Sequence, residues 1–201
     1  MDSNLPTLTG NMVRLEPLSR THLDGLEHAA FHPAIWKYML VRVGNRSELE
    51  RWVDSALSVS PDRQITWVTV LKSTGAVDQI VGSTRLIDID QHHRTAEIGH
   101  TWIHPGFQGT GINAEAKLLQ LTYAFEDLKL NRIAFKTHHE NLHSQAAILK
   151  LGALYEGTFR NHFVMPDGSL RHSVWFSITR EDWPQVRSRL TERLQAGPPS
   201  A

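Results

Sequence analysis

Gln108-Gly109-Thr110-Gly111-Ile112-Asn113 joins an apolar, strand-like run to the start of the strongest helical pattern in the chain. The first amides of a helix have no intrahelical acceptor, and the aligned peptide dipoles place partial positive charge there, so a helix start is an anion site. Glycines at 109 and 111 let the backbone approach a phosphate with no Cβ in the way. The chemistry on offer is the cradling of a diphosphate; a glycine-rich connection without a ligand is the alternative. Two commoner phosphate loops are excluded by spacing, because the chain has no GxxxxGK[ST] and no third glycine completes a dinucleotide fingerprint. A second residue of interest is Glu97, a carboxylate in an otherwise apolar run, which costs energy unless it is paired or useful. Arg85 and Arg94 are candidate partners for an ion pair.

The elements that must position these residues are legible in the hydrophobic pattern. Val13, Leu15 and Pro17 alternate with polar neighbours and predict a first strand ending at the proline, followed by a short helix from Thr21. Ser47 with Glu50 three residues on predicts a capping box for a helix whose apolar face carries Leu49, Trp52, Val53, Ala56 and Leu57. Strands are predicted over Ile65–Leu71 and Ile80–Ile89, joined by a turn at 73–75, and over Thr95–Ile103, which stops before Pro105.

From Gly111 onward Leu118, Leu121, Phe125 and Leu128 recur at helical spacing, while Glu115, Lys117, Gln120 and Lys129 supply the polar positions. A strand at Arg132–Thr137 and a helix at Asn141–Leu151, stopped by Gly152, complete a strand-helix-strand crossover between parallel strands. The rest reads as a hairpin, Ala153–Val164 and Leu170–Ile178, turning at Pro166-Asp167-Gly168. A last amphipathic helix carries Trp183, Val186, Leu190 and Leu194, with Thr179 and Asp182 as its cap.

The 201 residues fit one domain, at 11–195, with a flexible leader at 1–10 and a disordered tail at 196–201. Lys plus Arg equals Asp plus Glu, at 21 each, so no overall field draws the chain to nucleic acid or an anionic membrane. The 12 histidines form no recognised metal motif: His92-His93 and His138-His139 lack helical i, i+4 spacing, and no cysteine is present to complete a zinc site. Zero cysteines, a start without a basic and apolar leader, and no long apolar run make the cytoplasm the default location.

The turn, taken with the words around it, resembles motif A of the GNAT acetyltransferases. Gln108, Gly111 and Asn113 fall at its positions, with Asn113 departing from the small final residue. Glu97-Ile98-Gly99, Glu115-Ala116-Lys117, Asn141 to Gln145 and Lys150 to Ala153 are similar to the RimJ/RimL branch, whose members acylate protein N-terminal amines or small amines. The resemblance runs from about Leu15 to Ile178. It implies an α+β (mixed α/β) GNAT fold: a central mixed, mostly antiparallel sheet with one parallel βαβ crossover, a V-shaped splay between strands 95–103 and 132–137, and helices on both faces. It also implies acetyl-CoA as co-substrate, no metal, and an amine acceptor that is a small molecule or a peptide N-terminus; a homodimer stays open.

The implied CoA-binding set is Trp102, Ile103, Gln108, Gly109, Thr110, Gly111, Ile112, Asn113, Ala114, Asn141 and Ser144. The thiolate acid of many members is a Tyr seven residues beyond the Asn, and here that place holds Ile148. The branch resemblance passes the role to Ser144, one turn earlier on the same helical face, with helix capping as its alternative. Glu97 is the candidate general base, with the ion pair as its alternative, and His100 and His138 follow it. Arg160, His162, Arg171 and His172 are read as solvated hairpin charges, with the acceptor mouth or a dimer contact as alternatives. A longer acyl donor such as succinyl-CoA is an alternative to acetyl-CoA, and two other classes remain open, a non-catalytic acyl-CoA sensor and an interaction domain without a ligand. Turnover of acetyl-CoA with a panel of amines separates the first from the enzyme, and CoA binding separates the second.

Overall fold

A computed structural model describes residues 5–73, 75 and 77–196; Thr74 of the predicted 73–75 turn, residues 1–4 of the leader and 197–201 of the tail lie outside them. Eight strands form one sheet: β1 (Leu8–Thr9), β2 (Val13–Pro17), β3 (Ile65–Leu71), β4 (Gln79–Asp90), β5 (Thr95–Ile103), β6 (Arg132–His138), β7 (Leu154–Val164) and β8 (Leu170–Thr179). The spatial order is β1-β2-β3-β4-β5-β6-β8-β7, with every pair antiparallel except β5 and β6. A single parallel pair follows from connection length. Short turns join antiparallel neighbours, whereas β5 reaches β6 through a helix.

Helices α1 (Leu23–Ala30), α2 (Pro33–Trp36) and α3 (Arg46–Leu57) cover one face; α4 (Ile112–Thr122), α5 (Leu142–Leu151) and α6 (Trp183–Gln195) cover the other. The face under α1–α3 is filled by Leu26, Trp36, Leu49, Trp52, Val68 and Trp102. The opposite face is filled by Leu15, Trp67, Leu121, Phe125, Ile133 and Ile178. Only the two-sided burial of a central sheet explains why β3 is buried along six of its seven residues instead of alternating.

Four sequence expectations are corrected. Residues 5–10 of the leader are not free, because Leu8 and Thr9 pair with Leu15 and Arg14. The cap of α3 is Asn45, whose side chain accepts from the Glu48 amide 3.0 Å away, so the Ser47 and Glu50 capping box does not form. Asp182 heads α6 but caps none of its amides; its carboxylate accepts from the amide and hydroxyl of Thr179. The polar positions of α4 do not all face water: Glu115, Lys117 and Gln120 are buried. After Thr122 the same helix continues as a π-helical turn, Tyr123–Asp127.

Candidate active site

β5 pairs with β6 only over Thr95–Glu97, opposite Arg132–Ala134. Beyond that point β6 is bonded to β8 alone, as far as His138 opposite Ser173, so the edges of Ile98–Ile103 and Phe135–His138 that face each other have no ladder partner. Two parallel strands that pair at one end and part at the other leave a wedge walled by unpaired backbone donors and acceptors. This is the splay expected of the two strands.

At the open end of β5 the chain makes a 3-10 turn, Pro105–Phe107, exposes Gln108–Thr110 and enters α4 through Gly111, which sits in the left-handed region at φ 90°. No side chain among the described residues caps α4. Its first amides are thus available to an anion beside the wedge, as the sequence predicts. The two glycines differ in what they do. A Cβ on Gly109, at φ 80°, would meet nothing within 4 Å, whereas one on Gly111 would come within 3.3 Å of Met12 Cε. Gly109 therefore leaves open space in front of the helix, and Gly111 satisfies a backbone conformation and a packing contact.

Gln108 and Thr110 fasten the turn: the Gln108 side-chain nitrogen donates to the Ile103 carbonyl at 3.1 Å and the Thr110 hydroxyl to the Phe107 carbonyl at 2.6 Å. Trp102, Ile103, Ile112 and Ala114 bury their side chains, so they offer a ligand only backbone. The Asn113 side-chain oxygen is buried without a hydrogen-bond partner among the described residues.

Glu97 stands at the apex of the wedge, in the last paired register. The expected partners Arg85 and Arg94 do not bind it; Lys136, from β6, does, at 2.7 Å to Oε2. Burial pushes the carboxyl above its ordinary pKa, with Lys136 pulling the other way. Its Oε1 makes no hydrogen bond among the described residues and lies where a side chain at 99 would stand, 2.7 Å from an ideal Cβ on Gly99. The glycine thus gives the carboxylate its place.

His100 follows at a β-bulge. Between the pairs Arg85 with Gly99 and Ser83 with Trp102, β5 carries one residue more than β4, and His100 takes φ 49°. Burial and the nearby charges of Arg85, Lys136 and Arg171 lower its pKa to about 4, which leaves the imidazole neutral at pH 7. His138 accepts from the Glu140 amide at 3.1 Å and lies against Tyr38, ring centroids 5.2 Å apart.

Ser144 lies in the first turn of α5, at the splayed end of β6. The cap is Asn141, whose side chain accepts from the Ser144 amide at 3.0 Å. The Ser144 hydroxyl makes no hydrogen bond among the described residues and is half-buried, so capping does not occupy it. Ile148 is buried one turn on.

Of the hairpin residues, Arg160 is exposed but Arg171 is not: it is buried, donating to Ser173 Oγ at 3.2 Å and to the Tyr38 carbonyl at 3.3 Å. Burial lowers its pKa, with Glu97 opposing. Phe163 lies beside both Arg171 and Lys136, each 5.7 Å from its ring centroid. The sequence suggests Arg85 only as a partner for Glu97 and points to no role for Lys136. Charged residues on strands otherwise apolar are the signal that could have found them.

Among the described residues no three His, Asp or Glu side chains converge on a metal site, and no helix is long and apolar enough to cross a membrane. A family model described as the acetyltransferase (GNAT) domain matches residues 13–154. YdaF of Bacillus subtilis, provisionally named a ribosomal N-acetyltransferase, is 36% identical over 104 residues, which are 52% of this chain and 56% of that protein. The FsC-acetyl coenzyme A-N(2)-transacetylase of Aspergillus fumigatus is 34% identical over 190 residues, 90% of this chain and 80% of its own. The crystal structure of a GCN5-related N-acetyltransferase from Brucella melitensis superposes with a TM-score of 0.85 at 29% identity, covering 93% of this chain and 84% of that one.

Proposed function

Since the chain belongs to the GNAT acetyltransferase family, we propose that it transfers an acetyl group from acetyl-CoA directly to a primary amine, that of a small molecule or of a peptide N-terminus. The observation that carries this reading is the wedge between β5 and β6, which opens beside the uncapped start of α4. A pantetheine chain can bond the edge of β5 that β6 leaves unpaired, near Trp102 and Ile103, as an added strand would, although the Ile103 carbonyl already accepts from the Gln108 side chain. The diphosphate then meets the amides that follow Gly109. Acetyl-CoA supplies the thioester; the chain's residues align it with the amine and move protons.

Glu97 is placed to accept a proton from the acceptor ammonium through Oε1, directly or through water, since its other oxygen is engaged by Lys136. Its raised pKa favours this role, because a base works best with a pKa near the working pH. Ser144 is placed to give a proton to the departing thiolate, its hydroxyl being free of the cap. In the transfer the N–C bond forms and the C–S bond breaks. The ammonium nitrogen gives up two protons, one through Glu97 to solvent and one that restores the proton Ser144 gives to the sulfur. Ammonium and thioester thus yield amide, thiol and one released proton. Ser144 is never acylated.

Initial rates of thiol release from acetyl-CoA with a panel of primary amines test the proposal. Intersecting double-reciprocal lines with no acyl-protein adduct by mass spectrometry are expected. Parallel lines with an acyl-Ser144 adduct would overturn direct transfer, and CoA binding without release for any amine would favour a sensor.

A further inference from the structure

On the α1–α3 face, behind the bulge of β5, lies a cavity of about 250 Å³ lined by Arg42, Glu48, Arg51, Trp52, Arg85 and His100, among others. Arg85 is only 6% exposed, yet it makes no hydrogen bond and no ion pair among the described residues; its Nε is buried without a partner. The Trp52 ring lies 4.8 Å from its guanidinium carbon. A buried cation without a counter-charge is unfavourable, and a cation-π contact offsets only part of that. Burial pulls even this guanidinium down to about 10.

Among the described residues no other side chain lining the cavity bonds or pairs with Arg85. Glu48 holds the Gly44 amide at 2.8 Å, Arg42 lies 3.9 Å from Asp167 on the surface, and Arg51 donates to Ser47. His100 is neutral at pH 7. The indole nitrogen of Trp52, at the wall, is likewise a buried donor without an acceptor among the described residues. The wall is therefore rich in donors and positive charge, with one carboxylate already engaged. Buried polar groups are normally satisfied, so a cluster of orphaned donors around a cavity points to an acceptor-rich occupant. A planar guanidinium suits a carboxylate best, because it can bond both oxygens at once.

We infer that this cavity seats a carboxylate of the acceptor, so that the substrate class is amines that also carry a carboxylate, such as free amino acids. The inference rests on the acyltransferase reading for the word acceptor. The location supports it: His100, at the cavity wall, is three residues from Glu97 and within electrostatic reach of Lys136 and Arg171. A carboxylate on Arg85 thus leaves the amine of the same molecule on the Glu97 side of the bulge. Polyamines, which bring only positive charge, are disfavoured by the same groups.

The test is calorimetry on the CoA-saturated protein with the twenty N-acetyl amino acids and their carboxamides, which are product analogues and need no turnover. At least one acid is expected to bind tenfold or more tightly than its amide, and Arg85→Gln to abolish that difference while CoA affinity holds. Arg51→Gln, an exposed change that leaves the core intact, is expected to reduce it severalfold. The inference is overturned if no acid outbinds its amide, or if a folded Arg85→Gln keeps the preference. It is also overturned if Arg85→Gln alters instead the discrimination between acetyl-CoA and succinyl-CoA, which would place the carboxylate on the acyl group. Failure of every amine to release thiol, with the acid preference intact, counts against the acyltransferase reading and not against the anion site.

Discussion

Lys117 is fully enclosed on the α4 side of the sheet, and its ammonium meets only neutral oxygens: Thr84 and Thr101 at 2.7 Å and Gln120 at 2.8 Å. With no carboxylate to balance it, burial lowers its pKa from 10.5 to about 7. The unfolded chain keeps this proton up to about pH 10.4 while the folded chain gives it up above about 7, so between those values the unfolded state binds more protons and stability rises with pH. Below about 7 both states are charged and the full burial penalty applies; above about 10.4 both are neutral and it vanishes. At about 1.4 kcal/mol per pH unit, the interval from pH 7.5 to 9.5 is worth roughly 2 to 3 kcal/mol from this one residue.

The window lies clear of thiols and of ordinary histidines, since the chain has no cysteine and histidine side chains titrate lower, near about 6.5; the other groups that titrate near its ends are common to wild type and variant. In Lys117→Met the three oxygens left behind still bond one another, because the Thr84 hydroxyl donates to the Gln120 side-chain oxygen at 2.9 Å and lies 2.8 Å from that of Thr101. Urea unfolding at four pH values should give a rising stability for the wild type and a nearly flat one for Lys117→Met. Parallel curves would refute the assignment of a neutralisable buried lysine.

Three further outcomes are expected. By calorimetry CoA should bind at least a hundredfold more tightly than pantetheine, and Gly109→Val should erase most of that gap; equal affinities would mean that the start of α4 holds no diphosphate. Ser144→Ala should lower kcat by about 10²-fold with CoA affinity and thermal stability near wild type, whereas a loss confined to stability would return Ser144 to a structural role. Glu115→Gln should cost about 2 to 4 kcal/mol in denaturant unfolding, because its carboxylate accepts from the amides of Asn11, Met12 and Val13 at 2.7 to 2.8 Å and an amide side chain turns a donor toward them.

The strands and the glycine turn were legible because each rests on local signals. Pro17 and Pro105 end strands, Gly152 adopts φ 100° to end α5, and β3 and β5 occupy the predicted residues. What escaped depends on contacts distant in sequence. Leu8–Thr9 is two residues long and becomes a strand only by pairing with β2. Asn45 outcompetes Ser47 as a cap because the helix begins one residue before the serine. The polar face of α4 looks like a solvent face by periodicity, yet Glu115 meets residues 11–13 and Lys117 meets β4 and β5. In the site, Glu97 was singled out by its chemistry, but its partner is set by the β5–β6 register, which no local pattern encodes.

The Glu115 clamp also bears on how the chain reaches its fold. Strands β1 to β5 are neighbours in space in the order in which they are synthesised, so an antiparallel meander can assemble before α4 exists. The turn at Asn11–Val13 is different, because the carboxylate that holds its three amides lies 102 to 104 residues later. Closing that span costs loop entropy that nearest-neighbour pairing does not. The first edge of the sheet should therefore be the last part of the meander to become protected against amide exchange. A tag or fusion that crowds Asn11 should slow the seating of α4, and with it the arrival of the helix start that faces the wedge.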